Sequence, residues 1–250
     1  MKLIDLHMHT KYSDGTDSVS EILNRVDKKN LNIISITDHN TALAYKEMEN
    51  MDIDKFYKGN IIPGIELNTK ALGVPIEILG YGIDYKKMNE LVKNVYIPAE
   101  KRNYIEVERL YNKCMKAGMK LNSNCLENFD GTMFASKFIH SQIVKYDENK
   151  VHFSGQKFPS KTQFFRICVG DDTFFLYNEN KTLPPAQEIS KLIKENGGQV
   201  FLAHPYVYDL KDHIGFINAL YNDKIIDGLE CYHSNFTKEQ TKTLINYCHK

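Results

Sequence analysis

Short apolar runs alternate with polar, helix-patterned segments through the first eighty residues. Residues 2–6 predict a strand. Ser18, followed three residues later by Glu21, forms a capping box, and Ile22, Leu23 and Val26 recur behind it at helical spacing. Ile33, Ile34 and Ile36 mark a second strand over 32–37. A helix is predicted over 41–50, a third strand over 61–69 and a fourth over 75–81. This rhythm predicts an α/β fold with parallel strands.

The middle of the chain reads differently. A long helix is predicted over 98–117, opened by Pro98 and stopped by Gly118. A second follows over 134–145. Residues 150–180 are aromatic-rich and irregular, with short strands expected at 163–169 and 173–177. The first rhythm then returns: helix 184–196, strand 199–203, helix 208–221, strand 226–231 and helix 237–249. The simplest architecture is a βα barrel formed by 1–85 and 181–250. A mainly helical insert, 86–180, is expected to cover its site.

Charge narrows the function. Lys plus Arg and Asp plus Glu each total 32 in 250 residues, so the net charge is zero. Proteins that track long nucleic acid carry a basic excess. A small phosphorylated substrate is therefore expected, and short oligonucleotides remain open. The five cysteines have no CxxC spacing, which points to free thiols rather than a disulfide framework or structural zinc. Lys2 interrupts any secretory signal, and no apolar run approaches the ~18 residues of a membrane span. A cytoplasmic location is expected.

The candidate chemistry falls at the C-terminal ends of predicted strands, where βα barrels assemble their sites. His7 and His9 alternate along one strand end and so face one pocket, which suits a divalent metal. Taken alone they could equally be a hydrogen-bonded pair. Asp14 lies in the polar loop that follows. Asp38-His39 closes the second strand, with a helix N-cap as the alternative for Asp38. Glu66 sits among apolar residues, where a carboxylate needs a partner or a metal. His204 ends another strand and, alone, could be a satisfied buried histidine. Glu77 lies within the fourth strand. Recurrence at one structural position favours the metal reading over each separate alternative.

The segments Asp5-Leu6-His7-Met8-His9-Thr10, Ser13-Asp14-Gly15, Thr37-Asp38-His39, Pro63-Gly64-Ile65-Glu66 and Ala203-His204-Pro205 resemble the ordered motifs of the PHP (polymerase and histidinol phosphatase) family. Leu79-Gly80-Tyr81-Gly82-Ile83-Asp84 and Asp227-Gly228-Leu229-Glu230-Cys231-Tyr232 resemble a branch acting on nucleotides and short RNA. The resemblance implies a distorted (β/α)7 TIM-like barrel with two or three divalent metals. It implies His7, His9 and Glu66 at one metal, Glu66 and His204 at a second, and Asp14 and His39 at a third. The branch has histidine where this chain has Glu77. A carboxylate there favours Mn²⁺, Fe²⁺ or Mg²⁺ over Zn²⁺, and Mn²⁺ is the first expectation. Arg102, Lys137 and His233 are the candidate substrate-binding residues.

The family also closes with a strand bearing an Asp and a His ligand, whereas this sequence runs to Lys250 at the end of the preceding helix. His233 is the candidate to compensate. A barrel lacking its last strand, with an open edge and a homodimer formed through it, is the corresponding expectation. The function expected first is metal-dependent hydrolysis of a phosphomonoester of a small metabolite or nucleotide. The alternatives are a 5'-3' exonuclease on short RNA, a histidinol-phosphate phosphatase, and a non-catalytic metal- or ligand-binding module.

Overall fold

Seven strands in two sheets carry this computed structural model, which describes residues 3–96, 99–131, 133–164 and 183–249, without the side chains of 99, 100 and 102. The chain divides into two units, Met1–Tyr96 with Thr182–Lys250, and Ile97–Lys181. In the first unit, β1 (Ile4–Asp5), β2 (Ile33–Ile34) and β3 (Asn60–Ile61) form a parallel sheet in that order. A second sheet holds β4 (Gly64–Ala71), β5 (Val74–Tyr81), β6 (Gln199–Leu202) and β7 (Gly228–Leu229).

The α/β class agrees with the sequence, but the all-parallel order does not. β4 and β5 are antiparallel, β5 and β6 are antiparallel, and only β6 and β7 run parallel in this sheet. Among the described residues the two sheets do not join into one closed barrel. The physical cause is local. Leu72 (φ 51°) and Gly73 (φ 81°) both adopt the left-handed region, the signature of a tight two-residue hairpin turn. A parallel crossover needs a dozen residues or more, and the chain here reverses between Ala71 and Val74.

The strand expected over 61–69 is likewise two strands in different sheets. Pro63 has no N–H to give a ladder, and the Tyr45 hydroxyl takes over at the break. It accepts from the backbone N–H groups of Ile36 and Gly64, each at 2.9 Å, and donates to the Ile36 carbonyl at 2.6 Å, with the Ile62 carbonyl at 3.1 Å. Gly64 has no room for a side chain, because a Cβ there would collide with Ser35 Oγ.

The helices of the first unit are α1 (Val19–Lys28), α2 (Leu43–Met48) and α3 (Tyr85–Val95), followed after the second unit by α7 (Ala186–Glu195), α8 (His213–Asn222) and α9 (Lys238–Cys248). α1 starts with the expected Ser18–Glu21 capping box and buries Val19, Ile22, Leu23 and Val26. α3 belongs to this unit rather than to the insert expected from residue 86, because Met88 and Val92 enter its core. Leu23, Ile34, Ile36, Leu67, Ile78, Ile193 and Leu202 are fully or nearly fully buried in that core, each worth about 1.5–3 kcal/mol on burial. α8 starts at His213 rather than near 208, where Asp212 caps it by accepting from the Gly215 N–H at 2.8 Å.

The second unit contains α4 (Ala99–Lys116), α5 (Ala135–Ile143) and the one-turn α6 (Lys161–Gln163). Leu110, Cys114, Phe138 and Ile139 share its separate core. The strand expected at 163–169 begins instead at the end of α6; the remainder from 165, and all of 173–177, lie outside the described residues.

Candidate metal centre

The chain beyond β1 continues alongside the chain beyond β2, with the Ser35 N–H donating to Asp5 O and the Thr37 N–H to Met8 O. Alternation along this extended run buries part of Met8 in the core and turns His7 and His9 together the other way. Their Nε2 atoms lie 3.0 Å apart, and Glu66 Oε2 is 3.1 Å from His7 Nε2 and 3.2 Å from His9 Nε2.

Glu66, on β4, is 1% exposed and is the centre of the cluster. Its Oε2 is also 3.3 Å from His39 Nδ1, and its Oε1 is 3.1 Å from His204 Nε2. His39 is placed by a bridge pairing it with Glu66 at the strand end. The antiparallel hairpin then brings in Glu77. Glu77 pairs directly with Asn68, so it shares a sheet face with Glu66 two residues away. Its oxygens reach His204 Nε2 at 3.0 Å and His39 Nδ1 at 3.6 Å. Asp14 completes the set, 3.3 Å from His9 Nδ1 and 3.8 Å from His39 Nε2.

Three groups of donor atoms therefore converge: His7, His9 and Glu66; His9, Asp14 and His39; and His39, Glu66 and Glu77. His7, His9, Asp14, His39, Glu66, Glu77 and His204 all come together as candidate ligands. The second and third of these clusters share His39, while Glu66 is common to the first and third.

Three further residues, Glu230, Asp38 and Tyr208, hold the candidate ligands in place. Glu230 accepts from His7 Nδ1 at 2.9 Å and from the His204 backbone N–H at 2.6 Å. With its proton on Nδ1, a neutral His7 turns the Nε2 lone pair toward Glu66 and His9. A lone pair facing a carboxylate oxygen at 3.1 Å is repulsive unless a cation or proton lies between them, so the donor set fits a divalent metal. The carboxylate–histidine arrangement is the usual support for such a ligand. His204 itself has φ 25° and ψ 62°, an uncommon conformation for a non-glycine residue, and the short bond to Glu230 holds it.

Asp38 is not a helix cap. Buried at 1% exposure, it accepts from the Thr10 N–H at 2.6 Å, Thr10 Oγ1 at 2.7 Å and Ser13 Oγ at 2.7 Å. It thereby fixes the loop that carries His9 and Asp14. Asp38→Ala is expected to weaken metal binding about 10-fold or more while leaving the far-ultraviolet circular dichroism unchanged. Equal metal affinity in the variant would remove this role. Glu230 was visible in the sequence as part of a motif but not as a site residue. Tyr208 had no signal, since the sequence placed it inside a helix. Its hydroxyl accepts from the Glu77 N–H at 2.9 Å and donates to the Ala203 carbonyl at 3.0 Å, tying Glu77 to the segment that presents His204.

His233 stands beside the cluster, its ring centre 5.4 Å from that of His204. Lys137 is exposed on α5 in the second unit, with Nζ 5.2 Å from the Phe134 ring centre. Arg102 is on α4, and its side chain lies outside the described residues.

Without metal the cluster is an ion-pair network. Burial is the largest influence on His7 and pulls its pKa down, but hydrogen bonds to Glu230 and Glu66 together outweigh it and lift it to about 10. His204 is lifted to about 9 against burial by Glu66 and Glu77. Burial works the other way on Glu66, yet hydrogen bonds from His204, His7 and His9 hold its carboxyl well below the usual range. The histidine pKa values are raised above the ordinary 6.5. Their stabilisation is therefore complete below pH 6.5 and is lost as pH rises through 9 to 10. The metal-free protein is expected to melt at progressively lower temperature across that window, and His204→Gln is expected to reduce the fall. The same pH profile in the variant and the parent would contradict this.

The chain matches the PHP domain over residues 5–198. It belongs to the PHP family, as the sequence motifs implied. The class that this fold and donor cluster define is the metal-dependent phosphoesterases. Among particular proteins, it is 26% identical to a 5'-3' exoribonuclease of Haemophilus influenzae, over 98% of this chain and 85% of that one. It is 24% identical to the 5'-3' exoribonuclease Rnm of Salmonella typhimurium, over 99% and 82%. The fold is shared with an amidohydrolase from Chromobacterium violaceum with bound sulfate and no metal (TM-score 0.66, 17% identity, 98% of this chain and 82% of that one). It is shared also with a protein from Bifidobacterium adolescentis assigned as a metal-dependent phosphoesterase (TM-score 0.62, 18% identity, 99% and 83%).

Proposed function

We propose that the protein hydrolyses phosphoesters of short RNA from the 5' end, using two or three divalent metals, Mn²⁺ first among them. The observation that carries metal-dependent hydrolysis is Glu66, one buried carboxylate faced by the imidazoles of His7, His9, His39 and His204. The exoribonuclease relatives favour RNA over the metabolite phosphomonoester expected first from the sequence. The zero net charge favours short substrates over long ones.

Bound metals would supply an activated water and neutralise charge on the phosphoryl oxygens. The chain's own residues do the rest. His7, His9 and Glu66 would hold one ion, Glu66, Glu77, His39 and His204 would serve an adjoining one, and Asp14 with His9 and His39 would serve a third. His233 accepts from the Asn235 N–H at Nδ1, 3.3 Å away, and burial lowers its pKa. At neutral pH it is therefore a neutral ring with an Nε2–H free to donate to a phosphoryl oxygen.

Glu77 sets the metal preference in this reading. A second carboxylate on the Glu66 face hardens the site, so Glu77→His is expected to shift relative affinity toward Zn²⁺ and away from Mn²⁺. Competition binding of the two ions checks this, and an unchanged ratio would exclude it.

The functional test is incubation with Mn²⁺ and either 5'-phosphorylated short RNA or a nucleoside 3',5'-bisphosphate. Stepwise release of nucleoside monophosphates from the RNA 5' end supports the proposal. Inorganic phosphate from the bisphosphate, with the RNA left intact, replaces it with the phosphomonoesterase reading. That second reading rests on the zero net charge of the protein, which fits a small substrate.

A further inference from the structure

Cys231 and Cys248 are the feature of the first unit that the hydrolytic site does not use. Their sulfurs lie 3.7 Å apart, in contact, although the residues come from different elements. Cys231 follows Glu230 directly after β7, and Cys248 ends α9. Both are free thiols; Cys231 is partly buried and Cys248 exposed. We propose that this pair is a reversible oxidation site whose disulfide loosens the hold of Glu230 on His7 and His204. The second half of the proposal rests on the metal-site reading above.

The geometry supports both halves. Closing the pair needs the sulfurs to move from 3.7 Å to the ~2.05 Å of a disulfide, a displacement that side-chain rotation and a small backbone shift supply. Any part of that shift taken up at Cys231 falls on the residue next to Glu230. That residue's carboxylate spans two ligands, with one oxygen on the His7 ring and the other on the His204 backbone N–H. A movement of Cys231 toward α9 therefore changes the support of two ligands at once.

The chemistry balances with a peroxide as oxidant. The Cys248 sulfur, reached from solvent, attacks one peroxide oxygen; the O–O bond breaks, leaving a sulfenic acid on Cys248 and one water. Cys231 is the less accessible of the two thiols, which leaves it as the resolving thiol. Its sulfur attacks the Cys248 sulfur, the S–OH bond breaks, and the Cys231 proton leaves with the hydroxide as a second water. Two thiols lose two electrons to one peroxide, and a dithiol reductant reverses the step by exchange.

The test uses the full chain loaded with Mn²⁺ and treated with graded hydrogen peroxide, then digested without reduction for mass spectrometry. A peptide cross-link between 231 and 248, reversed by dithiothreitol and absent in Cys248→Ser, is the expected result. Oxidation of Cys248 to the sulfinic acid with no cross-link would overturn the site. Mn²⁺ affinity is measured on the same samples. The disulfide form of the parent is expected to bind Mn²⁺ about 10-fold more weakly, while peroxide-treated Cys248→Ser keeps its affinity. A cross-linked protein with unchanged affinity would overturn the coupling to Glu230. If neither form binds Mn²⁺, the metal-site reading itself fails, and the cross-link result still stands by itself.

Discussion

Replacing Glu66 with glutamine is expected to lower metal affinity and hydrolysis by about 100-fold or more. Loss of a group that merely supports a ligand costs 10–100-fold, and Glu66 is placed as a shared ligand. Its Oε2 faces His7, His9 and His39 and its Oε1 faces His204, all within 3.3 Å. Glutamine keeps the shape but removes the charge, and one oxygen becomes an NH2 group that cannot ligate. Four imidazoles are then left around a neutral amide. Titration of Mn²⁺ into the variant, with parallel hydrolysis of short RNA, measures the effect. Affinity and rate within 10-fold of the parent would mean that Glu66 is not the centre of the site.

Tyr45→Phe is expected to destabilise the first unit by about 2–6 kcal/mol, through two buried backbone donors at about 1–3 kcal/mol each. The Ile36 and Gly64 N–H groups would lose their acceptor, and Tyr45 is 4% exposed, so water cannot replace it easily. The loss corresponds to roughly 4–24 °C in melting temperature for a protein of this size. Differential scanning calorimetry checks it. A shift below about 2 °C would show that the backbone groups at the β3–β4 break find other partners. The consequence reaches function because this break aims the strand carrying Glu66.

The candidate ligands were legible before the fold was. The His7 and His9 alternation, the buried Glu66 and the strand-end positions of His39 and His204 all follow from hydrophobic runs and period-two geometry. The sheet order was not legible by the same means. An apolar run over 61–69 reads as one strand unless Pro63 is weighted as a breaker and the Tyr45 hydroxyl is known to bond both sides of it. The 75–81 strand reads as parallel unless the short connection is weighed. Leu72-Gly73 is too short for a crossover, and Gly73 alone was an available signal for the hairpin. That hairpin is what sets Glu77 beside Glu66. The positioning roles of Asp38 and Tyr208 were not legible for a common reason: each acts through a hydrogen bond to a residue at least 28 positions away, and no local pattern encodes that.

Divalent metal is expected to bind the cluster around Glu66 by displacing protons from His7 and His204. Calorimetric titration of Mn²⁺ into the metal-free protein near pH 7.5, repeated in buffers of different ionisation enthalpy, tests it most directly. The account predicts saturable binding with net proton release, both lost in Glu66→Gln. Binding without proton release, or binding that survives intact in Glu66→Gln, would contradict it.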